Sequence, residues 1–171
     1  MRKVILSLTV SVDSLIEGPK GEYDWCFTDQ DYGMTAFLDR IDAIFFGRKS
    51  YELLISTGEN PFSNKKMYVF STTLKSIEPV TLISSDIENE VKRIKKGEGK
   101  DIWLFGGARL TTTLINAGLV DELMLSVHPL LLGEGKALFQ DIPHRVALEL
   151  TDTRTYDTGL VQLYYKVLPS T

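Results

Sequence analysis

Four short stretches of this chain hold groups that could do chemistry. The first is Gly106-Gly107, which ends the apolar segment 101–105 just before helical spacing begins at Ala108. Two glycines let the backbone approach a ligand closely and bare its N–H groups. A helix N-terminus behind them adds partial positive charge, which suits a phosphate. With no ligand, the same pair is simply a tight strand-to-helix turn. The pattern is not G-x-G-x-x-G, so a Rossmann domain is not indicated. The second stretch is Gly47-Arg48-Lys49-Ser50-Tyr51, again directly after an apolar run. Gly47 permits a tight turn, Arg48 can grip an anion bidentately with Lys49 beside it, and Ser50 can cap a helix or donate to a phosphate. The alternative is a solvated basic pair beside a helix cap. The third is Ser71-Thr72-Thr73, whose three hydroxyls suit phosphate or ribose, or equally an ordinary turn. Open α/β sheets bind ligands at the carboxyl ends of their strands, so three such stretches at strand ends weigh more together than any one alone.

The fourth stretch mixes carboxylates with aromatics: Tyr23-Asp24-Trp25-Cys26-Phe27-Thr28-Asp29-Gln30-Asp31-Tyr32. Asp31 is the candidate acid. Met34, Thr35 and Leu38 follow it at i+3, i+4 and i+7 of an expected helix, and an apolar wall raises a carboxyl pKa, which suits a proton donor. The competing reading is a capping box between Thr28 and Asp31, where a helix N-terminus favours the charged form. His128, before Pro129, reads as a satisfied structural histidine, and His144 as exposed. Cys26, between Trp25 and Phe27, reads as a packed thiol.

These groups need elements to hold them. Seven apolar, β-rich segments stand out, at 2–9, 43–47, 67–70, 79–84, 101–105, 121–128 and 159–167. Runs such as Ala43-Ile44-Phe45-Phe46 have no polar alternation, as expected of strands buried on both faces. Helices are expected over 29–40 (opened by Thr28), over 49–55, after a Ser85/Glu88 capping box, and from 108 to a stop at Gly118. Alternating strands and helices imply parallel crossovers with helices on both faces. The last two apolar segments have no clear helix between them, which implies an antiparallel finish and a mixed sheet.

Composition narrows the function classes. With 171 residues and 43% hydrophobic content, the chain suits one domain over 1–171. A net charge of −4 gives no general attraction for nucleic acid or anionic membrane. The basic run 92–100 reads as a solvated helix end, since it lacks interleaved stacking aromatics. One cysteine and two histidines cannot build a Cys/His zinc site, and no metal is expected. No apolar run approaches a membrane span. Residues 4–10 read as a buried first strand rather than a leader. A lone cysteine fits a reducing, cytoplasmic setting.

Taken together, the first strand with Asp13-Ser14-Leu15-Ile16-Glu17-Gly18, Gly47 to Tyr51, Ser71-Thr72-Thr73 and Phe105-Gly106-Gly107-Ala108 resemble the dihydrofolate reductase superfamily. Gly118-Leu119-Val120-Asp121-Glu122-Leu123, with His128-Pro129-Leu130-Leu131-Leu132-Gly133-Glu134-Gly135, is similar more specifically to its bacterial branch, which includes the reductase domain of riboflavin-biosynthesis proteins. The resemblance spans nearly the whole chain in the right order. It implies a three-layer α/β fold with a central mixed, mostly parallel sheet of about eight strands flanked by helices. It also implies NADP(H) along the carboxyl edge of that sheet. Arg48 would meet the adenosine 2′-phosphate with Lys49 nearby, and Ser50 the pyrophosphate. Ser71 and Thr72 would approach the adenosine half. Gly106, Gly107, Ala108 and Arg109 would hold the pyrophosphate by backbone and helix end, next to Gly47. Residues 8–16 would line the nicotinamide side, and Asp31 would be the substrate-site carboxylate.

The implied activity is hydride transfer from NADPH to a small heterocyclic, pterin- or pyrimidine-like substrate. A non-catalytic module that senses NADP(H) is the alternative. The branch also implies a homodimer. Where dihydrofolate reductases carry a Trp- and Pro-rich loop, this chain reads Gly18-Pro19-Lys20-Gly21-Glu22-Tyr23-Asp24-Trp25, which argues against folate. No clear set of basic residues for a ribose-phosphate substrate is visible either.

Overall fold

The computed structural model describes residues 1–75 and 79–169. The chain opens with β1 (Val4–Ser11) and β2 (Leu15–Glu17), then α1 (Met34–Arg40), β3 (Ile41–Gly47) and α2 (Arg48–Ser56). The middle holds β4 (Lys66–Phe70), β5 (Thr81–Ile83), α3 (Ile87–Lys96), β6 (Asp101–Gly106) and α4 (Ala108–Asn116). It closes with β7 (Glu122–His128), β8 (Lys136–Ala137), β9 (Leu148–Thr155) and β10 (Val161–Val167).

Eight strands form one sheet in the order β5-β4-β3-β6-β1-β7-β10-β9, while β2 pairs with β8 separately. Neighbours from β5 across to β7 are parallel. β10 then runs antiparallel to both β7 and β9. The mixed sheet with an antiparallel finish is the arrangement that the strand pattern predicts.

The two-sided burial of the central strands explains their unbroken apolar runs. Val4, Leu6, Ala43 and Phe45 face one core, which α3 and α4 close with Val91, Ile94, Leu110 and Leu114. Ile5, Ile44 and Phe46 point the other way, into a core closed by Phe37 of α1 and Tyr51 of α2. Each fully buried Val, Leu, Ile or Phe among these contributes about 1.5–3 kcal/mol of hydrophobic stabilisation.

Some local expectations are corrected. The helix expected over 29–40 forms only from Met34, because Tyr32 (φ 48°) and Gly33 (φ 77°) turn left-handed and break it. The Thr28–Asp31 capping box therefore does not form. The Ser85/Glu88 box is also absent: Asp86 is the N-cap at φ 49°, with no side-chain cap, and its carboxylate accepts from the Asn89 amide. Lys95 is not solvated with the rest of its basic run. It is buried and donates to Leu119 O at 3.2 Å and Asp121 Oδ2 at 2.7 Å. Finally, β9 carries no apolar signature because every one of its residues is exposed at the sheet edge.

Candidate active site

Strand register places the phosphate candidates side by side. Gly47 pairs with Phe70 across β3–β4, and Phe46 with Gly106 across β3–β6. These strands are parallel neighbours, so the turns after Gly47, Phe70 and Gly106 leave the same edge of the sheet. A methyl group added to Gly47 would stand 3.4 Å from Gly106 O and Gly107 N, so two of the turns touch. One added to Gly107 would lie 3.6 Å from Ser50 Oγ. Gly106 itself sits at φ 127°, a conformation that side chains resist, with nothing within 4 Å of where its Cβ would be. The Gly106–Gly107 peptide is cis.

A cavity of about 730 Å³ opens beside these turns, within the size range of small-molecule sites. Ser50, Gly106, Gly107 and Ala108 line it. Leu8 and Thr9 of β1 line it, with Ile16 of β2, which are members of the expected 8–16 stretch. The aromatic loop contributes Tyr23, Phe27, Asp31 and Tyr32 to the lining. The sheet thus brings Asp31 and the Gly-Gly turn to one cavity. Among the described residues, Gly47, Arg48, Lys49, Ser71, Thr72 and Arg109 are not part of its lining. They stand at or beyond its rim on the same sheet edge.

The rim groups have local partners. Arg48 Nη1 donates to Glu52 at 3.0 and 3.1 Å, a half-exposed i,i+4 pair. Ser71 Oγ accepts the Thr73 and Leu74 N–H groups and so closes its own turn. Lys49, Thr72 and Arg109 are exposed.

Asp31 is exposed and accepts both the N–H (3.1 Å) and the hydroxyl (2.6 Å) of Thr35. The Thr35 hydroxyl, followed by nearby backbone N–H groups, holds its pKa below the ordinary aspartate range despite some desolvation. The raised pKa expected of a proton donor is thus reversed. Asp31 is a carboxylate, charged at neutral pH.

His128 is satisfied, as its position implies. Its Nε2 accepts the Phe27 N–H at 3.0 Å, and its Nδ1 lies 3.1 Å from Ser126 O. Burial lowers its pKa, so the ring is neutral and pins the aromatic loop to β7. Cys26 lies half-buried, and burial followed by the charge of Asp24 pushes its thiol up to about 11, which leaves it unreactive.

Two cavity residues escape a reading of the sequence. Gln162 is buried and fully bonded: its amide donates to Tyr32 O (2.8 Å) and Ser126 Oγ (3.2 Å), and accepts from the Tyr156 and Tyr164 hydroxyls (2.9 Å each). A lone amide inside an apolar strand was the available signal. Thr111 is fully buried on the first turns of α4, lines the cavity, and its hydroxyl has no partner. A hydroxyl between Leu110 and Leu114 on a buried helix face was the hint. A buried polar group without a partner is costly, and a ligand in the cavity would satisfy it.

The three-layer α/β arrangement, with its cavity at the carboxyl edge of the sheet, is a dihydrofolate reductase-like fold. The comparisons agree. Residues 2–162 match the RibD C-terminal domain family, and the chain belongs to it. The Bacillus subtilis (strain 168) protein YyaP, itself uncharacterized, is 48% identical over 96% of this chain and 94% of its own length. Among solved structures, a Shewanella sp. PV-4 protein assigned to riboflavin biosynthesis superimposes with a TM-score of 0.87 at 21% identity, covering 98% of this chain and 99% of that one. Dihydrofolate reductase from Enterococcus faecalis, solved with NADP(H), gives 0.70 at 18% identity, with 96% of each chain covered. At these identities the two structures speak for the fold. Among the described residues, no helix is long and apolar enough to cross a membrane.

Proposed function

We propose that this protein is an NADPH-dependent reductase that transfers hydride to a small pterin- or pyrimidine-like heterocycle. The observation that carries this reading is the shared cavity, lined both by the Gly106-Gly107 turn and by Asp31 with its aromatic neighbours. The fit for the cofactor is specific to this chain. The α4 N-terminus presents free N–H groups behind Gly106, which leaves open space, and the orphan Thr111 hydroxyl lies on the same helix. Gly106, Gly107, Ala108 and Ser50, with Thr111, would hold the pyrophosphate side. Gly47, Arg48, Lys49, Ser71, Thr72 and Arg109 would serve the adenosine side and its 2′-phosphate.

Bound NADPH supplies a hydride, two electrons with one proton, to the carbon of a C=N or C=O bond and leaves as NADP⁺. The chain positions the acceptor. Asp31, charged, accepts hydrogen bonds from ring N–H groups and fixes the ring's orientation. Phe27 and Tyr32, stacked with centroids 6.4 Å apart, give it a flat wall. Gln162 holds Tyr32 in place through its carbonyl. The second proton, for the neighbouring heteroatom, arrives from solvent past the exposed Asp31, which is too acidic to hold it.

Calorimetric titration with NADPH, NADH and ATP tests cofactor choice, and NADPH oxidation at 340 nm against pterins and pyrimidines tests turnover. Preference for NADPH with oxidation supports the reading. NADPH binding without oxidation across the panel favours the sensing module instead, and failure to bind NADPH removes both. The homodimer and cytoplasmic setting belong to this reading, and light scattering and cell fractionation check them.

A further inference from the structure

We infer that the substrate is a neutral or cationic ring without a phosphate or carboxylate arm, and that Glu17 and Asp31 act as the charge filter. This rests on the reductase reading of the same cavity. Among the described residues that line it, none is lysine or arginine, while two are carboxylates, Glu17 and Asp31. His128 adds no positive charge, because both of its ring nitrogens are engaged.

Lys136, Arg154 and Arg48 stand outside the lining. Lys136 Nζ lies 3.8 Å from Glu17. Arg154 lies near Gly33, but its Nε is 3.5 Å from Asp152 and its guanidinium stacks over Tyr164 at 5.1 Å. Arg48, resting on Glu52, belongs to the cofactor end. Lys49 and Arg109 are exposed at the cofactor end. Dipole ends give no alternative anchor: the first free N–H of α1 near the cavity already faces the Asp31 carboxylate, and the α4 end is taken by the cofactor. What remains at the substrate end is hydroxyl, amide and aromatic. Gln30, Thr28, Tyr23 and Ser126 can bond a neutral ring. They cannot offset a dianion placed beside two carboxylates. A substrate carrying a ribose phosphate or a glutamate tail would have to leave that arm in solvent or be refused.

The test uses the full chain loaded with NADP⁺ and four probes in two matched pairs: 6-methylpterin against 6-carboxypterin, and uridine against uridine 5′-monophosphate. NADPH titration comes first. If NADPH fails to bind, the reductase reading fails on its own account, before the filter is reached. With cofactor bound, at least one neutral probe should bind calorimetrically, with its anionic partner weaker by about tenfold or more, as like-charge juxtaposition requires. A smaller or reversed gap, or no binding by any of the four, overturns the inference. Glu17→Gln, which also frees Lys136, and separately Asp31→Asn, should each narrow the gap by about threefold or more. A gap that is unchanged in both variants, each folded by circular dichroism, shows that these carboxylates are not the filter.

Discussion

Replacing Arg48 with alanine should separate NADPH from NADH. In the folded chain the Arg48 guanidinium rests on Glu52, at 3.0 and 3.1 Å, with both side chains about two-fifths exposed. Such a pair contributes about 0.3–0.5 kcal/mol and can be traded for a better partner. A charge-assisted contact to the 2′-phosphate contributes about 1.5–3 kcal/mol. The net loss for Arg48→Ala is then about 1–2.5 kcal/mol, a weakening of NADPH of about 5- to 70-fold. NADH, which lacks that phosphate, should change by less than about twofold. The reciprocal variant, Glu52→Gln, releases the guanidinium and should tighten NADPH by about twofold. Calorimetric or fluorescence titration of both cofactors reads all of these. Equal weakening of NADPH and NADH by Arg48→Ala would refute the placement of Arg48 on the phosphate.

Asp31→Asn should lower kcat/KM by about 10- to 100-fold, through the loss of a charged hydrogen-bond acceptor, with NADPH affinity within about twofold. Because Thr35 holds Asp31 below the ordinary range, its charged form persists at neutral pH and is lost only as pH falls below that range. The rate should therefore show no limb from this group between about pH 5 and pH 8, and a limb that Asp31→Asn abolishes near pH 6 would contradict this. Thr111→Val removes a buried hydroxyl without a partner, so stability by urea unfolding should hold or rise by about 1 kcal/mol, while NADPH affinity drops about 2- to 10-fold. A loss of stability with unchanged affinity would make Thr111 structural. Lys95→Met should destabilise by about 2–3 kcal/mol, since it strips the partner from Asp121; a loss under about 0.5 kcal/mol would show that the pair contributes little. The figure lies below the about 3–5 kcal/mol of a fully buried pair because Asp121 is one-third exposed and also accepts the Val4 N–H at 2.7 Å.

Much of the fold is legible because burial on two faces writes itself into the chain. Ala43 to Phe46 and Ile102 to Phe105 leave no polar position, so central parallel strands follow from the residues alone. The order of the phosphate-type turns could likewise be read, since each follows such a strand directly. β9 could not be read, because an exposed edge strand needs no apolar pattern. The break at Tyr32-Gly33 was equally hidden: helical spacing from Thr28 onward is continuous, and only left-handed backbone at two residues decides otherwise.

The amino-acid order on its own determined which residues could meet phosphate and where the strands had to lie, because residue type and periodicity are local properties. Tertiary structure alone decided that Gly47 and Gly106 stand in adjacent strands, that Asp31 shares a cavity with Gly106 and Gly107, and that its carboxylate is held charged. It also decided that Thr111 has no partner and that no lysine or arginine lines the cavity among the described residues. Pairing, burial and desolvation depend on neighbours distant in the chain, and no local pattern encodes which neighbours those will be.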